Sequence, residues 1–165
     1  MPIPNITQPE TISVRDHLRL RRFDGHFDFA LEWYQDTELV WLVDGNRTPY
    51  SMERLRRMYN WLDAHGELYF IEAMENGIWK PIGDVTFWQE DMPIVIGDAQ
   101  YRGKGIGKAV VAALIDRGRE LGYRVLCVGE IYDWNHASRR CFESLGFRKN
   151  GTTEKGNCYQ LQIDS

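Results

Sequence analysis

The sequence predicts an α+β fold, a mixed and mostly antiparallel sheet flanked by helices. Three observations predict it. Short alternating or continuous apolar runs read as strands, two of them joined across Asn76-Gly77. Longer stretches carry apolar residues three and four apart, the period of an amphipathic helix. Hairpins and helical crossovers are interleaved along one chain, and that mixture packs as layers of sheet and helix.

The elements follow in the order β-α-α-β-β-β-α-β-α-β-β. Residues 11–23 alternate, with Leu18 and Leu20 against Arg19 and Arg21, and read as a half-buried strand. Asp24 is placed to cap a helix running to about Tyr34, with Phe27, Ala30 and Leu31 on one face. A loop around Asp44-Gly45-Asn46 leads to a second helix, opened by Thr48 and Pro49. Met52, Leu55, Tyr59 and Leu62 form its apolar face, and Gly66 ends it. Residues 67–73 and 78–88 pair as a hairpin, because Asn-Gly accepts the left-handed backbone of a tight turn. Residues 92–97 are a short apolar strand. Ile106, Val110, Val111, Leu114, Ile115 and Leu121 mark a helix stopped by Gly122. Residues 123–132 form a strand, Asn135 opens a helix to about Leu145, and 148–153 with 158–163 close the chain as a hairpin.

Composition narrows the function classes. The chain has 165 residues, 43% apolar and 27% charged. That suits an ordinary core and is unlike a disordered acidic chain. Lys and Arg number 20 against 24 Asp and Glu, a net charge of −4. No nucleic-acid partner is expected, since phosphate neutralisation needs clustered cations. No apolar run has bilayer length, and MPIPNITQPE lacks a signal-peptide start, so no membrane partner is expected. Cys127, Cys141 and Cys158 form no CxxC, and the four histidines show no paired spacing. A reducing, cytoplasmic setting without a metal is the expectation.

The most informative stretch is Arg102-Gly103-Lys104-Gly105-Ile106-Gly107-Lys108, between a strand and a helix. Glycines turn the backbone sharply and aim successive N–H groups into one concavity. The helix start adds free donors and partial positive charge, and Arg102, Lys104 and Lys108 add formal charge. Such a turn cradles a pyrophosphate. A P-loop would need a hydroxyl where Ala109 stands, and a dinucleotide fingerprint would need glycine where Val110 stands. The pattern [QR]-x-x-G-x-[GA] is met.

Downstream runs Asn135-His136-Ala137-Ser138-Arg139-Arg140-Cys141-Phe142, closing on Leu145-Gly146-Phe147. With the glycine turn, this resembles the GNAT superfamily of acetyl-CoA-dependent N-acetyltransferases. That pattern is a strand, R-x-x-G-x-G, a helix, a strand, an N-x-x-S helix and L-G-F, and it covers residues 92–149. The stretch Glu32-Trp33-Tyr34-Gln35-Asp36 followed by Trp41 more weakly resembles the aminoglycoside 6′-N-acetyltransferase-like branch. The resemblance implies one GNAT-like domain over residues 1–165, with a cofactor core at 92–149 and acceptor-side helices at 24–66. It implies acetyl-CoA as cofactor. Ile94, Val95 and Ile96 would offer backbone groups to the pantetheine arm. Arg102, Gly103, Lys104, Gly105, Ile106, Gly107 and Lys108 would hold the pyrophosphate, and Asn135, Ser138 and Arg139 would lie along the arm.

The chemistry the resemblance implies is acetyl transfer to a primary amine, by direct attack on a thioester. The position where the family often has a proton-donating Tyr is Phe142, so Tyr132 or a water would substitute. Cys141 beside it reads as core. Asp84, Glu90, Asp91, Glu130 and Asp133 are carboxylates near the cofactor strands, and Asp91 and Glu130 are the favoured bases. Trp33, Asp36, Glu38, Trp41 and Asp44 would meet the acceptor. Between Arg22 and Arg47 the chain has six carboxylates and neither Lys nor Arg, which suits a small cationic amine. Aminoglycoside-like and polyamine acceptors fit. A protein N-terminus or lysine, a catalytically silent acyl-CoA-binding module and a nucleotide-binding protein stay open, as does a homodimer.

Overall fold

The Asn76-Gly77 turn forms, with φ of 53° and 77° at its two centres. It joins β3 (Glu67–Glu75) to β4 (Ile78–Phe87) in an antiparallel register from Glu75 opposite Ile78 to Glu67 opposite Phe87. This computed structural model describes residues 1–163. Around the hairpin lie β1 (Thr11–Arg15) and β2 (Leu18–Arg22) on one side and β5 (Ile94–Ile96) on the other, giving a sheet of order β1-β2-β3-β4-β5. A second sheet, of order β6-β8-β7, is made by β6 (Val125–Tyr132), β7 (Arg148–Thr152) and β8 (Gly156–Gln162). All paired strands in both sheets are antiparallel.

Helices cover both faces. On one face α4 (Ile106–Glu120) and α5 (His136–Ser144) bury Val110, Val111, Leu114 and Phe142 against Leu20, Ile71, Val85 and Leu126. On the other, α1 (Leu31–Tyr34), α2 (Thr37–Asp44) and α3 (Met52–His65) bury Trp33, Tyr34, Val40, Leu55 and Tyr59 against Phe23, Leu68 and Phe70. Alternate side chains of a strand point to opposite faces, so β3 sends Tyr69 and Ile71 to one core and Leu68 and Phe70 to the other.

The α+β architecture and the order of its elements match the sequence reading, with finer subdivision in the first half. Residues 11–23 are a hairpin, because His17 takes φ of 64° and turns the chain back on itself. Between Asp24 and Tyr34 only a short 3₁₀ turn (Asp28–Ala30) and α1 are helical. Gly25 at φ of 90° keeps Asp24 from opening a continuous helix, and Asp24 accepts from the His26 N–H instead. The segment between Tyr34 and the loop expected around Asp44-Gly45-Asn46 contains α2, whose last residue is Asp44. Its signals lie in the sequence: Asp36 caps the Glu38 and Leu39 N–H groups, and Gly45 at φ of 73° ends it. α3 begins later than Thr48, where the Ser51 hydroxyl caps the Arg54 N–H.

Candidate functional site

The two sheets meet and then part. Where they meet, the Cys127 N–H donates to the Gln89 carbonyl (2.9 Å) and the Gln89 side-chain amide donates to the Val125 carbonyl (3.2 Å). Beyond that point β5 and β6 share no ladder, and a cavity of about 130 Å³ opens between them. Its walls include Ile94 and Val95 of β5, Glu130 and Tyr132 of β6, Phe142 of α5, and Leu42 and Val43 of α2.

β5 is held on one edge only. Gly83, Asp84 and Val85 of β4 stand opposite Ile96, Val95 and Ile94. A Cβ on Gly83 would lie 2.2 Å from the Val95 carbonyl oxygen, so glycine there permits the close approach. The other edge of β5 pairs with no strand among the described residues. The glycine turn follows, with Gly103 and Gly105 at φ of 73° and 77° and open space where their side chains would be. Gly105 is the N-cap of α4 and supplies no side-chain acceptor, so the first-turn N–H groups stay available. Among the described residues neither Lys104 nor Lys108 makes an ion pair within 4.0 Å, and the nearby Lys80 and Arg102 take the carboxylates of Asp98 and Asp36.

Arg102 departs from the expectation of a free phosphate-facing cation. Its guanidinium folds back, Nε donating to the Ile96 carbonyl (2.8 Å) and Nη2 to the Gly97 carbonyl (3.0 Å). Asn135 and Ser138 line the cavity. Asn135 caps α5 by accepting from the Ser138 N–H (3.2 Å), and its amide reaches the Leu42 carbonyl at 3.5 Å. Arg139 lies on the outer surface of α5 beside Glu143, outside the cavity wall.

The three favoured catalytic residues come together. Asp91, Glu130 and Tyr132 all line the cavity. Asp91 accepts from the Gly129 and Met92 N–H groups, both at 2.9 Å. Burial raises its pKa, the two N–H donors pull it back and Glu130 adds to the rise. Burial, with Glu130 and Asp44 nearby, also raises the Tyr132 phenol and keeps it protonated at neutral pH. Phe142 is buried in the wall and brings no hydroxyl.

The acceptor residues read from sequence fare differently. Trp33 is 5% exposed and packs over Gly97, so it belongs to the core. Asp36 is spent on capping α2 and lies 3.7 Å from Arg102. Glu38 pairs with Arg47 (2.6 Å) on the surface. Asp44 accepts from the Tyr50 hydroxyl (2.6 Å) and from Arg54 (2.9 Å). Each of these three carboxylates thus has an arginine partner that folding supplies. Asp91 and Glu130 make no ion pair within 4.0 Å among the described residues, and they are the negative charges left at the cavity. Trp41 stacks on Trp134 with ring centroids 4.4 Å apart, beside the cavity. Asp84, one of the wider set of carboxylates, is sealed from solvent, its Oδ2 accepting from Tyr34 (2.7 Å) and Tyr59 (2.8 Å).

A family model described as an acetyltransferase (GNAT) domain matches residues 17–148. No curated protein matches the chain in sequence. Solved structures share the fold. An aminoglycoside acetyltransferase in complex with coenzyme A is 20% identical, with a TM-score of 0.70, over 88% of this chain and 94% of that one. An acetyltransferase from Salmonella typhimurium that modifies the N-terminal serine of a 50S ribosomal subunit protein is 20% identical, with a TM-score of 0.72, over 94% and 100%. A microcin self-immunity acetyltransferase in complex with acetyl-CoA and AMP is 17% identical, with a TM-score of 0.73, over 94% and 97%.

Proposed function

Because the chain belongs to the GNAT acetyltransferase family, we propose that it moves an acetyl group from acetyl-CoA to the primary amine of a small cationic acceptor. The observation that carries the acceptor class is the pair Asp91 and Glu130, negative and without cationic partners among the described residues, in the cavity between the sheets. A protonated amine is drawn to such a pair.

The residues present fit the cofactor. The uncapped first turn of α4, with Gly103 and Gly105 leaving room, would hold the diphosphate, and Lys104 and Lys108 would add charge. The unpaired edge of β5 would hydrogen-bond the amides of the pantetheine arm. Acetyl-CoA supplies a thioester-activated acetyl carbon. The acceptor must arrive as an ammonium and react as an amine. Asp91, directly or through a water, takes the proton from nitrogen, and its raised pKa makes it a stronger base than an exposed Asp. As the C–N bond forms the C–S bond breaks; Tyr132 would donate its phenolic proton to the sulfur and recover the surplus proton of the new amide nitrogen, directly or through a water, so that CoA leaves as the thiol. Glu130 holds the cationic substrate beside them.

Thiol release from acetyl-CoA across a panel of polyamines, aminoglycosides and peptides tests the acceptor class. Turnover confined to peptides would sink the small-amine reading. The cofactor site has a separate test in Gly105→Glu. It puts an anion into the cradle at a position with open space, and the left-handed backbone costs about 1–2 kcal/mol. Calorimetric titration should detect no CoA binding by a folded variant, and unchanged affinity would refute the site.

A further inference from the structure

The cavity has a front and a back. α4 and α5 pack on one face of the sheets, and α1 to α3 pack on the other. The cradle at α4 and the Asn135 end of α5 belong to the back, so a thioester donor reaches the gap from there. Its acyl group must point forward to meet an amine. What stands in front is α2, through Leu42 and Val43.

α2 is fastened in that position by an aromatic stack. Trp134, just after β6, lies between Trp41 of α2 (centroids 4.4 Å apart) and Tyr132 (4.7 Å). Its indole N–H donates to the Trp41 carbonyl at 2.8 Å, across 93 residues of sequence. Arg47 covers the outer side of Trp41, its guanidinium carbon 5.2 Å from the ring centroid. Gly45 touches Trp134 so closely that a Cβ would lie 3.0 Å from the ring. Stacked aromatics of this kind stabilise a contact beyond the area they bury. Neither the thioester chemistry nor the sheet pairing requires this fastening. It fixes α2, and with it the two branched side chains that line the cavity, against the end of β6.

We infer that Leu42 and Val43, positioned by Trp134, form an acyl-length stop that admits an acetyl group and excludes longer acyl chains. The inference rests on the cofactor reading above. A short apolar wall discriminates by size, because each added methylene must either find space or displace a packed side chain.

The test is binding of acyl-CoA thioesters by calorimetry, which needs no knowledge of the acceptor. Wild type should bind butyryl-CoA at least about tenfold more weakly than acetyl-CoA. Leu42→Ala and Val43→Ala should each raise the butyryl-to-acetyl affinity ratio by about tenfold. Leu42→Phe should act in the opposite sense, weakening acetyl-CoA more than CoA, which carries no acyl group. Trp134→Ala should erase the far-ultraviolet circular-dichroism exciton couplet of the Trp41–Trp134 stack and relax the acyl preference, while Trp134→Phe keeps part of the preference. Equal affinity of wild type for acetyl- and butyryl-CoA, or a ratio unmoved by the alanine variants, would overturn the inference while leaving the cofactor reading intact. Failure of wild type to bind any CoA compound would overturn both.

Discussion

Replacing Asp84 by asparagine separates a buried charge from the hydrogen bonds that surround it. Asp84 is 3% exposed, and its two donors are the hydroxyls of Tyr34 and Tyr59. Burial pushes its pKa from 3.8 up to about 6, against the pull of those two hydroxyls. One pKa unit corresponds to about 1.4 kcal/mol, so the shift amounts to about 3 kcal/mol. The sign follows from linkage. A carboxyl whose pKa is raised on folding holds its proton more tightly in the folded state. Its favourable contribution is fully present below the unfolded value of 3.8 and is lost as the pH rises through about 6. The asparagine side chain would carry no charge and lose this dependence, at the cost of about 1–3 kcal/mol for buried amide hydrogens without acceptors. Urea unfolding at intervals between about pH 4 and pH 7.5 measures it. The stability difference between wild type and Asp84→Asn should shift by about 2.5 kcal/mol across that range in favour of the variant at the upper end. Parallel stability curves for the two proteins would refute the reasoning.

Four further outcomes are expected. Asp91→Asn should lower kcat by about 10²–10⁴-fold while CoA affinity holds. In wild type the acidic limb of kcat/KM should fall above the ordinary Asp range, since activity requires the carboxylate and its pKa is raised; a limb that survives in Asp91→Asn would assign it to another group. Glu67→Gln should destabilise the fold by about 3–5 kcal/mol, read by denaturant titration, because Glu67 is fully buried and Arg117 binds both its oxygens at 3.0 and 2.7 Å. Gly97→Ala should cost about 1–3 kcal/mol in the same assay, since the added Cβ lies 2.2 Å from the Trp33 ring; a variant as stable as wild type would mean that Trp33 yields freely.

Local backbone chemistry was legible in the chain. The Asn76-Gly77 turn, the glycine cradle before α4 and the Asn135 cap each depend on a few neighbouring residues, and each forms where those residues stand. The α2 helix was legible too, through Asp36 and Gly45, but the turn-forming run Asp44-Gly45-Asn46 reads as a loop when taken alone. The placement of Asp91, Glu130 and Tyr132 on one cavity also followed from the order of the strands, since β5 and β6 bracket the gap.

The sequence by itself determined the α+β order, the glycine-rich turn before α4 and the absence of a hydroxyl at Phe142, because these are properties of adjacent residues and of periodicity. Tertiary structure alone decided which charges remain free. The run of carboxylates between Arg22 and Arg47 looked like an acidic face, yet Arg102, Arg47 and Arg54 neutralise Asp36, Glu38 and Asp44. It also decided that Trp33 is core, that Arg102 caps β5 and that Trp134 clasps α2. Ion pairs and ring stacks form between side chains that folding brings together, and for Arg102, Arg54 and Trp134 the partner lies on another element of the chain.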